Sequence, residues 1–343
     1  MTTQSPVQHS RQSDLDHASF VGSWRVWVTV VLAIAVAALP FIPAVDSYML
    51  SVVVRAAIFI ALGQAWNVTA GIGGQLSLGH GVFFGIGAYT TAILFNRYGI
   101  PPWIGFLGGI ALALVAAFVM GAATFRLRGV YFALATIAVS LGFEEYARYE
   151  IDFTGGDAGM AVRFLGDSLW ALQSRDPAPF VWFTLAVVVG FYALTRMILN
   201  GRRGFELQAV RDDEEAAAAA GIDVVRVKLW GFLLSAGMTA FVGSVYVQFY
   251  LSIDPMTAFG LPQGIQIQLP ALIGGLGTAG GPIAGGAIMI LVSELTNWAG
   301  TAIGQEGIDV LAYGVMLLII VMRAPAGVVG QWERLFRRPG AAP

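Results

Sequence analysis

The spacing of ionisable residues constrains this chain more than any other feature of its sequence. Long stretches carry no charge, such as the 20 residues between Arg25 and Asp46 and the 41 residues between Arg55 and Arg97. A helix needs about 20 apolar residues to cross the hydrocarbon core of a bilayer. Only 12% of the 343 residues are charged, against roughly 25% in an average soluble domain. Most of the outer surface must therefore face lipid.

The charge-free stretches predict an all-α, polytopic membrane protein with about ten transmembrane helices. Glycine clusters divide the two longest stretches, at 71–74 and near 274–281. The eighth predicted span is short and is also compatible with a re-entrant segment. The predicted spans are 26–45, 48–67, 76–95, 102–124, 129–147, 178–198, 229–250, 263–277, 281–299 and 307–323.

The basic residues predict the orientation. With the N-terminus inside, 14 of the 19 lysines and arginines lie on the inner side, four lie outside and Arg55 lies within a span. Cytoplasmic loops of membrane proteins carry such an excess of basic residues, so both termini are predicted to be cytoplasmic. The predicted organisation is a polar tail rather than a cleaved signal (1–24), a transmembrane domain (25–330) with an external loop (149–177) and an internal loop (199–227), and a C-terminal tail (331–343).

Several kinds of chemistry are excluded by composition. The chain has no cysteine and only three histidines, of which His80 alone lies in the body, so no thiol chemistry and no histidine metal centre is expected. The net charge of −2 leaves no basic surface for nucleic acid. The only lysine, Lys228, is followed by Leu229, whereas a P-loop needs serine or threonine there. The chain is thus not predicted to be an enzyme or to need a cofactor, and any active transport must draw on another polypeptide or an ion gradient.

The charged residues near the spans favour anchoring over ion coupling. Arg55, Glu144, Glu145 and Glu294 fall near predicted span ends, whereas proton relays use ionisable groups deep in the membrane. His80 lies deeper, where a hydrogen-bonded packing residue is favoured over a relay.

Polar residues within the spans have two open interpretations. Gly81, Gly85 and Gly87 allow close helix packing, while neighbouring polar groups need partners inside the bundle. The segment is either a packing seam or the lining or hinge of a translocation path, and the glutamines from Gln263 onward raise the same question. The candidate path or gate residues are Gln75, Ser77, His80, Tyr89, Gln266 and Gln268.

The internal loop contains a predicted helix over 205–221. Alanine, leucine and glutamate favour a helix, and Gly221 is a natural C-terminal stop. Its acids and small residues suit docking on another protein, although a solvated connector is the alternative.

Glu215, Ala216 and Ala217, with Gly221 four residues later, resemble the EAA loop of ABC importer permeases, which docks on the ATPase subunit. Five further segments resemble the signatures of branched-chain amino-acid permeases, M-type subunit, in the same order along the chain. These segments are 74–89, 126–136, 154–159, 209–214 and 273–278.

The resemblance implies an inner-membrane permease that translocates branched-chain amino acids. Its implied partners are a homologous second permease, two ATP-binding-cassette ATPases, an extracytoplasmic binding protein and membrane lipid. Glu215, Ala216, Ala217 and Gly221 would form the ATPase-coupling loop. Urea, amides or other amino acids are alternative substrates within this family. An ion-coupled secondary transporter and a passive channel or structural subunit are alternatives of other classes.

Overall fold

The computed structural model describes residues 30–127, 129–303 and 314–315, and α-helices make up most of this part of the chain. The predicted tails 1–24 and 331–343, and nearly all of the predicted span 307–323, lie outside the described residues. The helices are α1 (Val30–Phe41), α2 (Ser47–Asn67), α3 (His80–Tyr98), α4 (Pro102–Thr124), α5 (Val130–Tyr149), α6 (Ile151–Thr154), α7 (Ala178–Leu199), α8 (Arg202–Asp212), α9 (Glu214–Ala219), α10 (Val224–Tyr250), α11 (Pro255–Phe259), α12 (Leu261–Gly274) and α13 (Gly281–Ile303).

Five of the described helices are long and apolar enough to cross a membrane. They are α2 together with the turn that extends it to Ile72, α4, α5, α7 and α10. Each coincides with a predicted span. Helix α12 has 14 residues and is therefore about 21 Å long, shorter than a hydrocarbon core of about 30 Å. The chain is a multi-pass membrane protein, while the count of ten spans and the side of each terminus stay predictions.

Lipid-facing surface is visible in the exposure of apolar side chains. Leu107 and Val119 on α4 and Tyr131 on α5 are among many large hydrophobic residues that stand exposed. Contiguous apolar surface of this extent is rare on soluble monomers. The exposed faces of α4 and α5 therefore suit contact with lipid or another membrane chain.

The two predicted glycine breaks are both present. A π-helical turn, Val68–Ile72, ends α2, and Gly74 then takes a left-handed φ of +71°. Between α12 and α13, Gly275 and Gly277 have φ of +131° and +74°. Residues with a Cβ rarely adopt these conformations, so glycine permits the chain to leave each helix at these points.

Helix α2 is largely buried and packs against α7, α10, α12 and α13. Helices α3, α4 and α10 pack on one another. Close approach there depends on small residues: Gly87 lies against the Ala240 backbone, and Gly243 lies against the Phe84 backbone. Gly85 faces the ring of Phe259. Close packing at Gly85 and Gly87 agrees with the packing-seam interpretation, and a role in the translocation path stays a prediction.

The loop 149–177 is more ordered than a plain polar loop. It contains α6, a short 3-10 turn at Gly156–Ala158 and a two-residue strand, β1 (Met160–Ala161). This strand pairs antiparallel with β2 (Ser252–Ile253), which follows α10. The pairing ties the loop to the end of α10, so both lie at the same end of the bundle.

Candidate functional site

The charged loop 199–227 contains two helices instead of the single helix predicted over 205–221. Helix α8 ends at Asp212, and Asp213 is extended, with φ −158° and ψ 109°. The Asp213 carboxylate accepts hydrogen bonds from the backbone N–H groups of Glu215 (2.9 Å) and Ala216 (3.0 Å). Aspartate at an N-cap satisfies amides that would otherwise lack partners. Asp213 therefore starts a new helix, α9, and the prediction of one continuous helix is wrong.

Helix α9 is held to the body of the protein on one side. Ala217 is 4% exposed and belongs to an apolar cluster that includes Leu207, Val210 and Val227. Glu214 forms an ion pair with Lys228 of α10, whose side chain is buried. Glu214 and Ala217 are three residues apart and so lie on the same side of the helix. Their contacts hold this side of α9 against the body, and the opposite side faces outward.

Gly221 ends α9 in the way that the sequence predicts. It has φ +86°, and its N–H bonds the carbonyl of Ala218 at 3.0 Å, while the N–H of Ile222 bonds the carbonyl of Ala217 at 3.0 Å. This pair of bonds is the Schellman arrangement, in which glycine at the left-handed position closes the helix.

The outward face of the loop differs from the predicted coupling set in one residue. Glu215, Ala216 and Gly221 are exposed, together with Ala219 and Ala220. Ala217 faces this chain's own core and offers no surface to a partner. The exposed side of α9 therefore consists of Glu215, Ala216 and the exposed residues that follow, and Ala217 is not part of it.

His80 and Ser77 lie together in a closed hydrogen-bond network. Ser235 on α10 donates its hydroxyl proton to the carbonyl of Ala65 on α2 at 2.7 Å, so it accepts from His80 Nε2 at 2.8 Å. A neutral imidazole has one donor and one acceptor nitrogen, and Nδ1 is 3.1 Å from the Ser77 hydroxyl. Both ring nitrogens thus have partners.

Apolar groups surround this network. The imidazole of His80 is fully buried, with the rings of Phe83 and Phe232 edge-on at centroid distances of 5.5 and 6.1 Å. The indole of Trp66 also donates to the Ser77 carbonyl at 2.7 Å. His80 therefore joins α2, α3 and α10 as a packing residue in this conformation.

The other candidate path residues do not join this network. Tyr89 stacks on Phe259 of α11 with 5.7 Å between ring centroids, and Gln268 donates to the Gly264 carbonyl of its own helix at 2.9 Å. Gln266 is half-buried, and Gln75 is buried. The amide atoms of Gln75 and the hydroxyl of Tyr89 find no hydrogen-bond partner among the described residues. Among the described residues, the six candidates thus do not share one hydrogen-bond network.

Sequence reasoning missed two buried amides of the same kind. Gln64 in α2 and Gln248 in α10 are almost completely buried, and neither amide has a hydrogen-bond partner within the described part of the chain. Such groups are costly in an apolar interior. The available signal was a glutamine within an apolar stretch. The same signal identified Gln266 and Gln268 as candidates.

The carboxylates near the spans have local partners. Glu294 of α13 binds the guanidinium of Arg55 on α2 and accepts from the Tyr48 hydroxyl at 2.6 Å. Glu144 pairs with Arg148 one turn along α5 at 2.7 Å, and Glu145 is exposed. Across residues 30–127 and 129–303, no group of three or more histidines and carboxylates could hold a metal ion.

A cavity of about 540 Å³ lies at the end of the bundle that carries the loop 149–177. It is bounded by Trp103 at the start of α4, by loop residues 167–174 and by Phe180, Trp182 and Phe183 at the start of α7. None of the candidate path residues lines it.

Comparison with known proteins yields one family. The family model described as "Branched-chain amino acid transport system / permease component" matches residues 48–322. The permease protein LivM of the high-affinity branched-chain amino acid transport system of Salmonella typhimurium is 28% identical over 333 residues, covering 89% of this chain and 75% of that protein. LivM of Escherichia coli is also 28% identical. LivH of Salmonella typhimurium is 25% identical over 288 residues, covering 80% of this chain and 91% of that protein. No solved structure matches the chain significantly.

Proposed function

Because the chain belongs to the branched-chain amino acid transport permease family, we propose that it is the M-type membrane subunit of an ATP-binding-cassette importer. The observation that carries this proposal is the family match over residues 48–322, which includes the loop with α8 and α9. The relatives named LivM and LivH transport branched-chain amino acids. We extend that substrate class to this chain: leucine, isoleucine and valine.

The proposed complex gives this chain four kinds of contact. It pairs with a homologous permease, docks on ATPase subunits through the loop 199–227, receives substrate from an extracytoplasmic binding protein and sits in the lipid of the cytoplasmic membrane. Both termini are then cytoplasmic. The lack of a P-loop lysine supports an ATPase on separate chains.

Helix α9 supports the docking role through its exposed alanines. Ala216 and Ala219 are exposed on a helix whose rotation is fixed by Ala217 and by the Glu214–Lys228 ion pair. Small side chains let a helix approach a partner groove closely, and a helix that is already fixed loses little conformational entropy on binding. A solvated connector would need neither property.

The pairing of carboxylates argues against ion coupling. A proton or sodium relay uses ionisable groups deep in the membrane, at the bundle interior or a water-filled cavity. Glu294 and Glu144 instead form ion pairs with Arg55 and Arg148, as interfacial anchors do.

Reconstituted uptake tests the proposal. The chain, its partner permease, the ATPases and the binding protein would be placed in vesicles and offered labelled leucine, valine, urea and glutamate. We expect uptake of leucine and valine that requires ATP and survives a protonophore. An ATPase variant without its P-loop lysine is the control and should give no uptake. Uptake without nucleotide that collapses with the protonophore would establish a secondary carrier instead, and uptake of urea alone would reject the substrate class.

A further inference from the structure

Arg211 connects the charged loop to the membrane helices. It lies on α8, and its Nη1 donates to the backbone carbonyl of Gly71 at 3.0 Å, across 140 residues of sequence. Gly71 belongs to the π-helical turn that ends α2. The Arg211 Nε also donates to Asp212 at 3.0 Å, which holds the guanidinium in place. One side chain therefore bridges α8 and the end of α2.

The same side chain touches the second glycine break. A Cβ on Gly277, in the turn between α12 and α13, would lie 3.2 Å from Arg211 Nη1. A Cβ on Gly74 would lie 2.5 Å from Arg211 Cγ. A side chain at Gly74 would therefore displace Arg211, and one at Gly277 would press on both the Gly71 carbonyl and Arg211. The arginine is packed between the two breaks.

Asn67 joins these breaks from the membrane side. Its Oδ1 accepts from the Gly277 N–H at 2.8 Å, and its Nδ2 donates to the Thr278 carbonyl at 2.9 Å. We call Asn67, Gly71, Gly74 and Gly277 the glycine joint. The joint links the ends of α2, α12 and α13, and Arg211 is its contact with α8.

The backbone of the joint is suited to changing conformation. A π turn inside a helical segment often marks a functional site, and glycines at positive φ can leave that region without a steric penalty. Hinges in transporters and enzymes are a few such residues that absorb φ/ψ changes. A displacement of α8 must therefore move the joint or break the bond from Arg211 to Gly71.

We propose that Arg211 is the positioning residue that transmits movement of α8 and α9 to the glycine joint, and so to α2, α12 and α13. The inference rests on the proposed function, because it takes the loop to be the part that an ATPase moves. It adds the route by which that movement enters the membrane domain.

The test is the ratio of solute imported to ATP hydrolysed by the assembled complex in vesicles. Arg211→Ala removes the bridge, and Arg211→Lys keeps the charge but cannot donate to Gly71 and Asp212 with the same planar group. Arg126→Gln is the control, because Arg126 is an exposed arginine between α4 and α5 and lies outside the loop 199–227. Retention of ATPase chains on purification is measured for every variant.

We expect Arg211→Ala to retain its ATPase chains and to hydrolyse ATP within about twofold of the parent. A hydrogen bond from a charged donor typically changes an equilibrium roughly tenfold to hundredfold, so import per ATP should fall at least about tenfold. Import per ATP should fall less in Arg211→Lys, and Arg126→Gln should match the parent.

Three results would overturn the inference. A parental import-to-ATP ratio in Arg211→Ala would show that the bridge transmits nothing. Loss of ATPase chains, with import and hydrolysis falling together, would mean that Arg211 only stabilises the loop. If Arg211→Ala does not assemble, the ratio of import to ATP hydrolysis in Arg211→Lys decides between these outcomes. A parental complex without ATP-driven import would reject the proposed function itself, and this inference with it.

Discussion

Removing the Ser235 hydroxyl tests whether the network around His80 is structural. In Ser235→Ala the His80 Nε2–H loses its acceptor at 2.8 Å, while the Ala65 carbonyl keeps its backbone donor, the N–H of Val68. One fully buried donor is left without a partner. The cost of such a group is about 1–3 kcal/mol, and hydrogen bonds between membrane helices contribute up to about 1.7 kcal/mol. We expect a loss of about 2 kcal/mol.

Thermal unfolding of the purified protein in mild detergent measures this loss. A change of 1 kcal/mol shifts Tm by roughly 2–4 °C in domains of 150–250 residues, so Ser235→Ala should lower Tm by about 4–8 °C. Thr239→Val is the matched control one turn along α10. Within the described part of the chain, the Thr239 hydroxyl bonds only the Ser235 carbonyl of its own helix, so its removal should cost less than about 1 kcal/mol.

A double-mutant cycle with His80→Ala separates the network from general packing damage. If the Nε2–Ser235 bond carries the loss, Ser235→Ala should add little further destabilisation once the imidazole is gone. An unchanged Tm in Ser235→Ala, together with an altered concentration dependence of import, would refute the structural role. His80 would then belong to the translocation path.

Three further predictions concern the loop and the topology. Gly221→Ala should destabilise the C-terminal end of α9 by about 1 kcal/mol, because alanine is disfavoured at the left-handed φ of this position. Import should fall while the Tm of the bundle stays unchanged, and Gly221→Asn should be better tolerated. Equal import in both variants would show that import does not need the left-handed conformation. Ala217→Glu should lower the free energy of unfolding by more than about 2 kcal/mol because it buries a charge. Ala216→Glu should unfold like the parent but lose ATPase chains on purification. If Ala216→Glu keeps its ATPase chains, the loop is a solvated connector. Reporter fusions after residues 10 and 340 should both report the cytoplasm, and opposite sides would mean an odd number of spans.

Local sequence was sufficient to locate five membrane helices and the two glycine breaks. Whether a segment partitions into lipid depends mainly on its own composition, so α4 and α7 begin and end within a residue of the predicted spans 102–124 and 178–198. The exit at Gly221 was predictable for a similar reason, because a positive φ is a preference of the single residue.

The single helix predicted over 205–221 failed because two local preferences compete at Asp213. Helix propensity favours continuing from α8 into the alanines, whereas the aspartate side chain favours capping a new helix. The cap prevails where packing of Ala217 and Lys228 against the body turns α9 away from α8. That packing is not present in the segment itself.

The pairing of distant polar residues depends on how the helices assemble. His80 meets Ser235 across 155 residues, and Arg211 meets Gly71 across 140 residues. Nothing local distinguishes Ala217, which faces the core, from Ala216, which faces outward. Side-chain direction on a short helix depends on which neighbour it packs against, and hydrogen bonds between distant helices depend on their relative register. Both are set when the helices assemble, after the sequence has already placed each helix in the membrane.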